Sequence, residues 1–164
     1  MADSGRQTLP LSFTVNGTRY DLEVEPHELL LDVIRKRLGL TGAKRSCDVQ
    51  VCGACTLLLD GRPVSSCTLP AFEARDKDVL TIEGMAEDGK LHPIQEAFIE
   101  YGGFQCGFCT PGMILTAKTL LDQNPNPTEE DVIEYMNGNI CRCTGYKKIV
   151  ESIMGVGKPN ADAS

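Results

Sequence analysis

The sequence has no tryptophan and little other aromatic content, five Phe and four Tyr in 164 residues. A core built on large rings is therefore ruled out, and a chain of this length split in two leaves halves of about 70–80 residues, where apolar burial alone is marginal. Positive charge is also scarce: 16 Lys and Arg stand against 23 Asp and Glu, a formal net charge of −7. The longest basic run is Arg35-Lys36-Arg37, too little for an electrostatic nucleic-acid surface. No apolar stretch approaches the roughly 20 residues of a membrane span. Residues 1–16 hold neither an apolar export core nor a twin-arginine pair, which points to a cytoplasmic protein. What the chain does have is eight cysteines, and in a reducing compartment these argue for metal ligation or catalysis ahead of disulfides.

Period-two alternation over 11–15 and 20–24, joined by Asn16-Gly17, predicts a hairpin. Leu30, Val33, Ile34 and Leu38 recur at helical spacing and predict an amphipathic helix over about 27–38, ended by Gly39 and Gly42. Residues 56–59, the Asp60-Gly61 turn and residues 63–67 form a second predicted hairpin, and 79–82 a fifth strand. Five strands on one helix make an α+β arrangement.

Beyond the polar stretch 83–90 the period changes. Helices are predicted over about 93–101, 111–123, 129–137 and 146–154, a small all-α four-helix bundle. Met113, Ile114, Ala117, Leu120 and Leu121 form a stripe suited to its core, and Thr128 with Asp131 is a capping-box variant. The order helix, cysteine pair, Thr, helix occurs twice, so the bundle is expected to have pseudo-two-fold symmetry with Thr110 and Thr144 as N-caps. The positive ends of those helices favour an anionic thiolate centre. The chain thus divides into a flexible N-terminus (1–10), a first domain (11–84), a linker (85–91), a helical domain (92–154) and a tail (155–164).

Each domain carries a cysteine quartet. Cys47-x4-Cys52-x2-Cys55, followed by Cys67, has the spacing of a plant-type [2Fe-2S] site, with three ligands from one loop and the fourth from a strand end. Zinc ribbons prefer two separated C-x2-C knuckles and fit it poorly. Cys106-x2-Cys109 with Cys141-x-Cys143 suits iron–sulfur or a four-thiolate zinc site on spacing alone.

Cys52-Gly53-Ala54-Cys55-Thr56, Gln105-Cys106-Gly107-Phe108-Cys109-Thr110-Pro111-Gly112-Met113 and Gly138-Asn139-Ile140-Cys141-Arg142-Cys143-Thr144-Gly145-Tyr146 together resemble the iron–sulfur subunit of the molybdenum hydroxylases, the xanthine oxidase family, over about 11–154. The resemblance implies a β-grasp, plant-type ferredoxin-like first domain and [2Fe-2S] clusters on both quartets. It also implies the small subunit of a three-subunit enzyme, a heterotrimer or dimer of heterotrimers, with a molybdenum–pterin cofactor on a large partner and FAD on a medium one. Carried over by position, Gln105 and Cys143 lie against the pterin. Many relatives have glycines between the first two cysteines, where this chain has Asp48-Val49-Gln50-Val51, and Ser46 stands where Gly is common.

No paired catalytic carboxylates, nucleophile motif or phosphate loop accompanies the cysteines. The expected role is electron transfer between the two partner cofactors, with no substrate chemistry in this chain. A free-standing two-cluster carrier and a scaffold with two structural zinc sites are the alternatives. His27 and His92 read as surface or capping residues, and Arg142 as a solvated side chain or a modulator of the second quartet.

Overall fold

The computed structural model describes residues 7–158; residues 1–6 and 159–164, at the ends of the expected N-terminus and tail, lie outside them. β1 (Leu9–Val15) and β2 (Thr18–Val24) pair antiparallel, with Val15 opposite Thr18. The turn between them puts Asn16 and Gly17 at φ 50 and 77, the conformation for which Asn-Gly is suited. β3 (Thr56–Leu59) and β4 (Arg62–Ser65) form the second hairpin, closed by Asp60 and Gly61 at φ 48 and 73. β5 (Asp78–Leu80) completes a sheet of order β2-β1-β5-β3-β4, parallel to β1 and antiparallel to β3. Leu9 and Pro10, grouped by sequence with the N-terminal segment, belong to β1.

The predicted helix over 27–38 is shorter and less regular than its periodicity suggests. α1 is a single turn, Leu30–Asp32, continued by a π-helical segment, Val33–Arg37. It starts late because the chain before it is engaged elsewhere: Leu29 is extended and bridges Pro70, while the Leu30 and Leu31 amides donate to Leu69 O and Ser66 O at 2.8 and 3.1 Å. Those bonds hold the segment around Cys67 against the helix. Arg35 Nη1 then donates to Thr41 O and Ala43 O at 2.7 and 2.6 Å, fixing the entry to the cysteine loop.

Leu11, Phe13, Val15, Leu30, Leu31 and Ile34 pack with Leu57 and Leu59 in one core. Leu58, pointing the other way along β3, belongs to a second core with Ile94, Phe98, Met113, Leu115, Ile149 and Ile153. Every residue of β3 is buried, as period-two alternation requires of a strand covered on both faces. The two cores therefore meet at β3.

The second core is built by α2 (Pro93–Glu100), α3 (Thr110–Gln123), α4 (Glu129–Tyr135) and α5 (Lys147–Met154). His92 caps α2: its Nδ1 accepts from Ile94 N at 3.3 Å, and Gln95 Oε1 accepts from His92 N at 2.9 Å. Thr128 and Asp131 exchange both bonds of a capping box at α4. Among the described residues no helix is long and apolar enough to cross a membrane.

Candidate metal centres

Cys47, Cys52 and Cys55 lie on the loop between the π-helical segment and β3, and Cys67 follows β4. Lys44 N donates to Ala54 O at 2.9 Å, closing the loop at its base, and Ser66 Oγ donates to Cys55 O at 2.6 Å, tying it to the Cys67 segment. Cys55 and Cys67 are buried, while Cys47 and Cys52 are half-buried.

Two residues of this loop take a backbone conformation that favours glycine. Asp48 and Gln50 stand at φ 56 and 61, left-handed positions that glycine adopts at less cost. Both side chains are anchored. Asp48 meets Arg45 at 2.7 Å, Arg45 meets Asp32 at 2.8 Å, and the Gln50 amide donates to Thr68 Oγ1. With the loop held this way, the amides of Val49, Cys52 and Val51 converge on Cys47 and hold its thiol down to about 6. Burial pushes Cys55 up to about 11, against a bond from the Cys67 amide.

In the helical part, Cys106 and Cys109 lie just before α3, and Cys141 and Cys143 before α5. Cys106 and Cys143 are exposed, with their sulfurs 3.6 Å apart. Cys109, half-buried, pairs with buried Cys141, and burial followed by that thiol pushes Cys109 up to about 12. Burial also opposes the Cys141 thiolate, but the Thr144 hydroxyl and the Cys143 and Thr144 amides outweigh it and lower the thiol.

The eight thiols are free and form four close pairs: Cys47 with Cys52, Cys55 with Cys67, Cys106 with Cys143, and Cys109 with Cys141. Among the described residues, no three His, Cys, Asp or Glu side chains gather around one ion. Two pairs facing each other suit a binuclear centre, each iron taking two thiolates, better than a four-thiolate site on a single ion. Thr110 Oγ1 beside Cys109 is buried with no hydrogen-bond partner, a donor available to an anionic sulfur centre.

Thr110 and Thr144 are not the N-caps expected of them. α3 starts at Thr110 itself, because Cys109 is already in the right-handed helical region. At α5 the cap position falls on Tyr146, at φ 69, while the Thr144 hydroxyl is committed to Cys141 Sγ and Tyr146 N. Gln105 is exposed beside Cys106, and Arg142 is exposed. His27 is exposed and lies 3.2 Å from Glu25.

Several site residues escaped the sequence reading. Ile140 N donates to Cys52 O at 2.9 Å and Asn139 Nδ2 to Gly53 O at 3.3 Å, which joins the two cysteine loops. Gly53 and Gly112 are required there: a Cβ on Gly53 would meet Gly138 O at 2.5 Å, and one on Gly112 would meet Gly53 O at 2.2 Å. The one available signal was that Gly53, Gly112 and Gly138 all lie inside cysteine motifs.

One paired quartet thus lies on the loops flanking β3 and β4, and the other just ahead of α3 and α5. Residues 13–82 match the 2Fe-2S iron-sulfur cluster binding domain and residues 81–154 the [2Fe-2S] binding domain. The chain is 48% identical to the nicotinate dehydrogenase small FeS subunit of Eubacterium barkeri, over 86% of its own length and 90% of the relative's. Quinoline 2-oxidoreductase from Pseudomonas putida 86 superposes with a TM-score of 0.88 at 43% identity, covering 90% of this chain and 91% of that one. Aldehyde oxidoreductase from Desulfovibrio gigas gives 0.86 at 43% identity, with the match confined to 17% of that longer chain. The chain belongs to the iron–sulfur small subunits of the molybdenum hydroxylases, the xanthine oxidase family, and its role is electron transfer through two [2Fe-2S] clusters.

Proposed function

We propose that this chain relays electrons between a molybdenum–pterin cofactor on a large partner subunit and FAD on a medium one, in a heterotrimer or a dimer of heterotrimers. Cys47 and Cys52 bind one iron of the first [2Fe-2S] cluster and Cys55 and Cys67 the other. Cys106 with Cys143, and Cys109 with Cys141, do the same for the second. The clusters supply one-electron steps between a two-electron metal site and a flavin that holds one or two electrons. The chain's own residues set the rest: the amides on Cys47 and the Thr144 donors on Cys141 stabilise negative charge at the ligand sulfurs, and the Cys52–Ile140 bond keeps the two centres in register.

The domain division rests on the two cores meeting at β3. On that basis residues 9–84 form a β-grasp, plant-type ferredoxin-like domain, 85–91 the linker and 92–154 a four-helix domain with pseudo-two-fold symmetry. Gln105 and Cys143 face the pterin: both are exposed, Gln105 next to Cys106 in the chain and Cys143 with its sulfur 3.6 Å from that of Cys106. Eight cysteines committed to metal and not to disulfides accord with a reducing compartment, the cytoplasm.

The observation that carries this reading is the sorting of eight thiols into four pairs. Its test is the complex as purified. Visible absorbance and two EPR signals after dithionite reduction are expected, with molybdenum and FAD copurifying on two larger chains. Zinc in place of iron, or a monodisperse 17.8 kDa carrier with no companion, would reject it. Cys143→Ala should abolish the C-terminal cluster's EPR signal and stop flavin reduction by substrate. Gln105→Ala should lower pterin retention with both signals present, and normal molybdenum and pterin content would remove Gln105 from that contact.

A further inference from the structure

The turn from Cys141 to Tyr146 is bonded back on itself. Tyr146 stands at φ 69, a left-handed conformation that bulky residues rarely adopt. Its phenol oxygen accepts the Cys141 amide at 3.0 Å, and its own amide donates to Thr144 Oγ1 at 3.2 Å. Thr144 Oγ1 and N in turn donate to Cys141 Sγ at 3.2 and 3.5 Å. Strain of this kind persists where the surroundings over-determine the conformation, and here four interlocking hydrogen bonds do so. Helix capping does not explain it, because Tyr146 makes no side-chain cap bond to α5. Nor does core packing, since the residue is 39% exposed.

We propose that Tyr146 is a positioning residue for the C-terminal cluster: its hydroxyl holds the 141–146 turn closed, so that the Thr144 hydroxyl and amide stay aimed at the Cys141 sulfur. This rests on the reading of Cys141 as a cluster ligand. Donors to a ligand sulfur favour the more negative, reduced state and so raise the potential. Tyr146 touches neither iron nor substrate; it acts through Cys141 and Thr144. The same segment carries Ile140, whose amide is bonded to Cys52 O, so the turn also anchors the junction with the first cysteine loop.

The test is an EPR-monitored redox titration of the assembled complex carrying Tyr146→Phe, Thr144→Val, both together, or Thr144→Ser. Tyr146→Phe keeps the ring and removes only the oxygen. It should move the C-terminal cluster's midpoint to more negative values by about 59 mV, a tenfold change in the reduced-to-oxidised ratio for one electron, and leave the N-terminal cluster in place. Thr144→Val should shift the same cluster in the same direction, the double variant no further than the larger single shift, and Thr144→Ser should stay at the wild-type value. An unchanged midpoint in either Tyr146→Phe or Thr144→Val, additive shifts in the double variant, or equal movement of both clusters would overturn the proposal. A C-terminal signal that survives unaltered in Cys141→Ser would instead reject the ligand assignment beneath it.

Discussion

Ile140 donates its backbone amide to the carbonyl oxygen of Cys52 at 2.9 Å, so one hydrogen bond and a few covalent bonds separate Cys52 from Cys141. Beside this bond the first cysteine loop packs on α3 at Gly112, where a Cβ would stand 2.2 Å from Gly53 O. That atom is backbone and has no flexible end to yield. Gly112→Ala should therefore push the loop away from α3, costing about 1–3 kcal/mol as an overpacked contact, and slow reduction of the second cluster to be reached more than that of the first. Rapid-freeze EPR of the substrate-reduced complex checks this. Wild-type kinetics at both clusters would show that the junction does not govern transfer.

Gln50 combines a cost and a gain of similar size. Its φ of 61 is disfavoured by about 1 kcal/mol or more for a side-chain-bearing residue, and its bond to Thr68 Oγ1 returns about 1 kcal/mol. Gln50→Gly removes both, so stability should stay within about 1 kcal/mol of wild type. Cluster retention should change more, because that bond links the three-cysteine loop to the residue after Cys67. Loss of the N-terminal cluster's absorbance to an iron chelator is expected to accelerate about fivefold, the factor of one net hydrogen bond. Unchanged release would leave Gln50 with no part in holding the loop.

Much of this was open to sequence reading because it is local. Asn16-Gly17 and Asp60-Gly61 dictate their own turns, the cysteine spacings dictate the two quartets, and Thr128 with Asp131 specifies its own cap. The features that escaped depend on partners distant in the chain. Asn139 and Gly53 are 86 residues apart, so nothing near either residue announces their bond. The helix over 27–38 was misjudged for the same reason: the carbonyls that take its first amides belong to Ser66 and Leu69. At Asp48 and Gln50 the residue types alone do not announce a left-handed backbone. Tertiary anchors to Arg45 and Thr68 instead hold non-glycine residues in glycine's conformation.

His92 makes α2 sensitive to acid. Burial holds its imidazole below the ordinary value of 6.5, with Lys118 acting in the same direction, and the neutral Nδ1 is what accepts the Ile94 amide. A group whose pKa is depressed on folding binds its proton more readily in the unfolded chain, so stability rises with pH. The contribution is complete above about 6.5, the unfolded value, and is lost as pH falls below it toward the folded pKa. Imidazolium is also unfavourable at a helix N-terminus. Melting temperatures between pH 8 and pH 5 should therefore fall more steeply for the wild type than for His92→Asn, which caps without titrating. Parallel profiles would remove His92 as a source of the dependence.

Removing the iron should expose a hierarchy among the thiols. Cys47 is half-buried and held down to about 6 by the Val49, Cys52 and Val51 amides, whereas burial pushes Cys55 up to about 11 and Cys109 up to about 12. At pH 7 that leaves Cys47 mostly thiolate and Cys55 almost wholly thiol. The thiolate is the nucleophile, so alkylation of iron-free protein that keeps its native circular dichroism should label Cys47 first and Cys55 and Cys109 last. Cys47 labelling should fall off as the pH drops through about 6. Reconstitution with iron and sulfide should then protect Cys47 along with the rest. Peptide mapping of the labelled sites reads the order directly, and labelling of Cys55 as fast as Cys47 would show that the amide cradle around Cys47 does not form without the cluster.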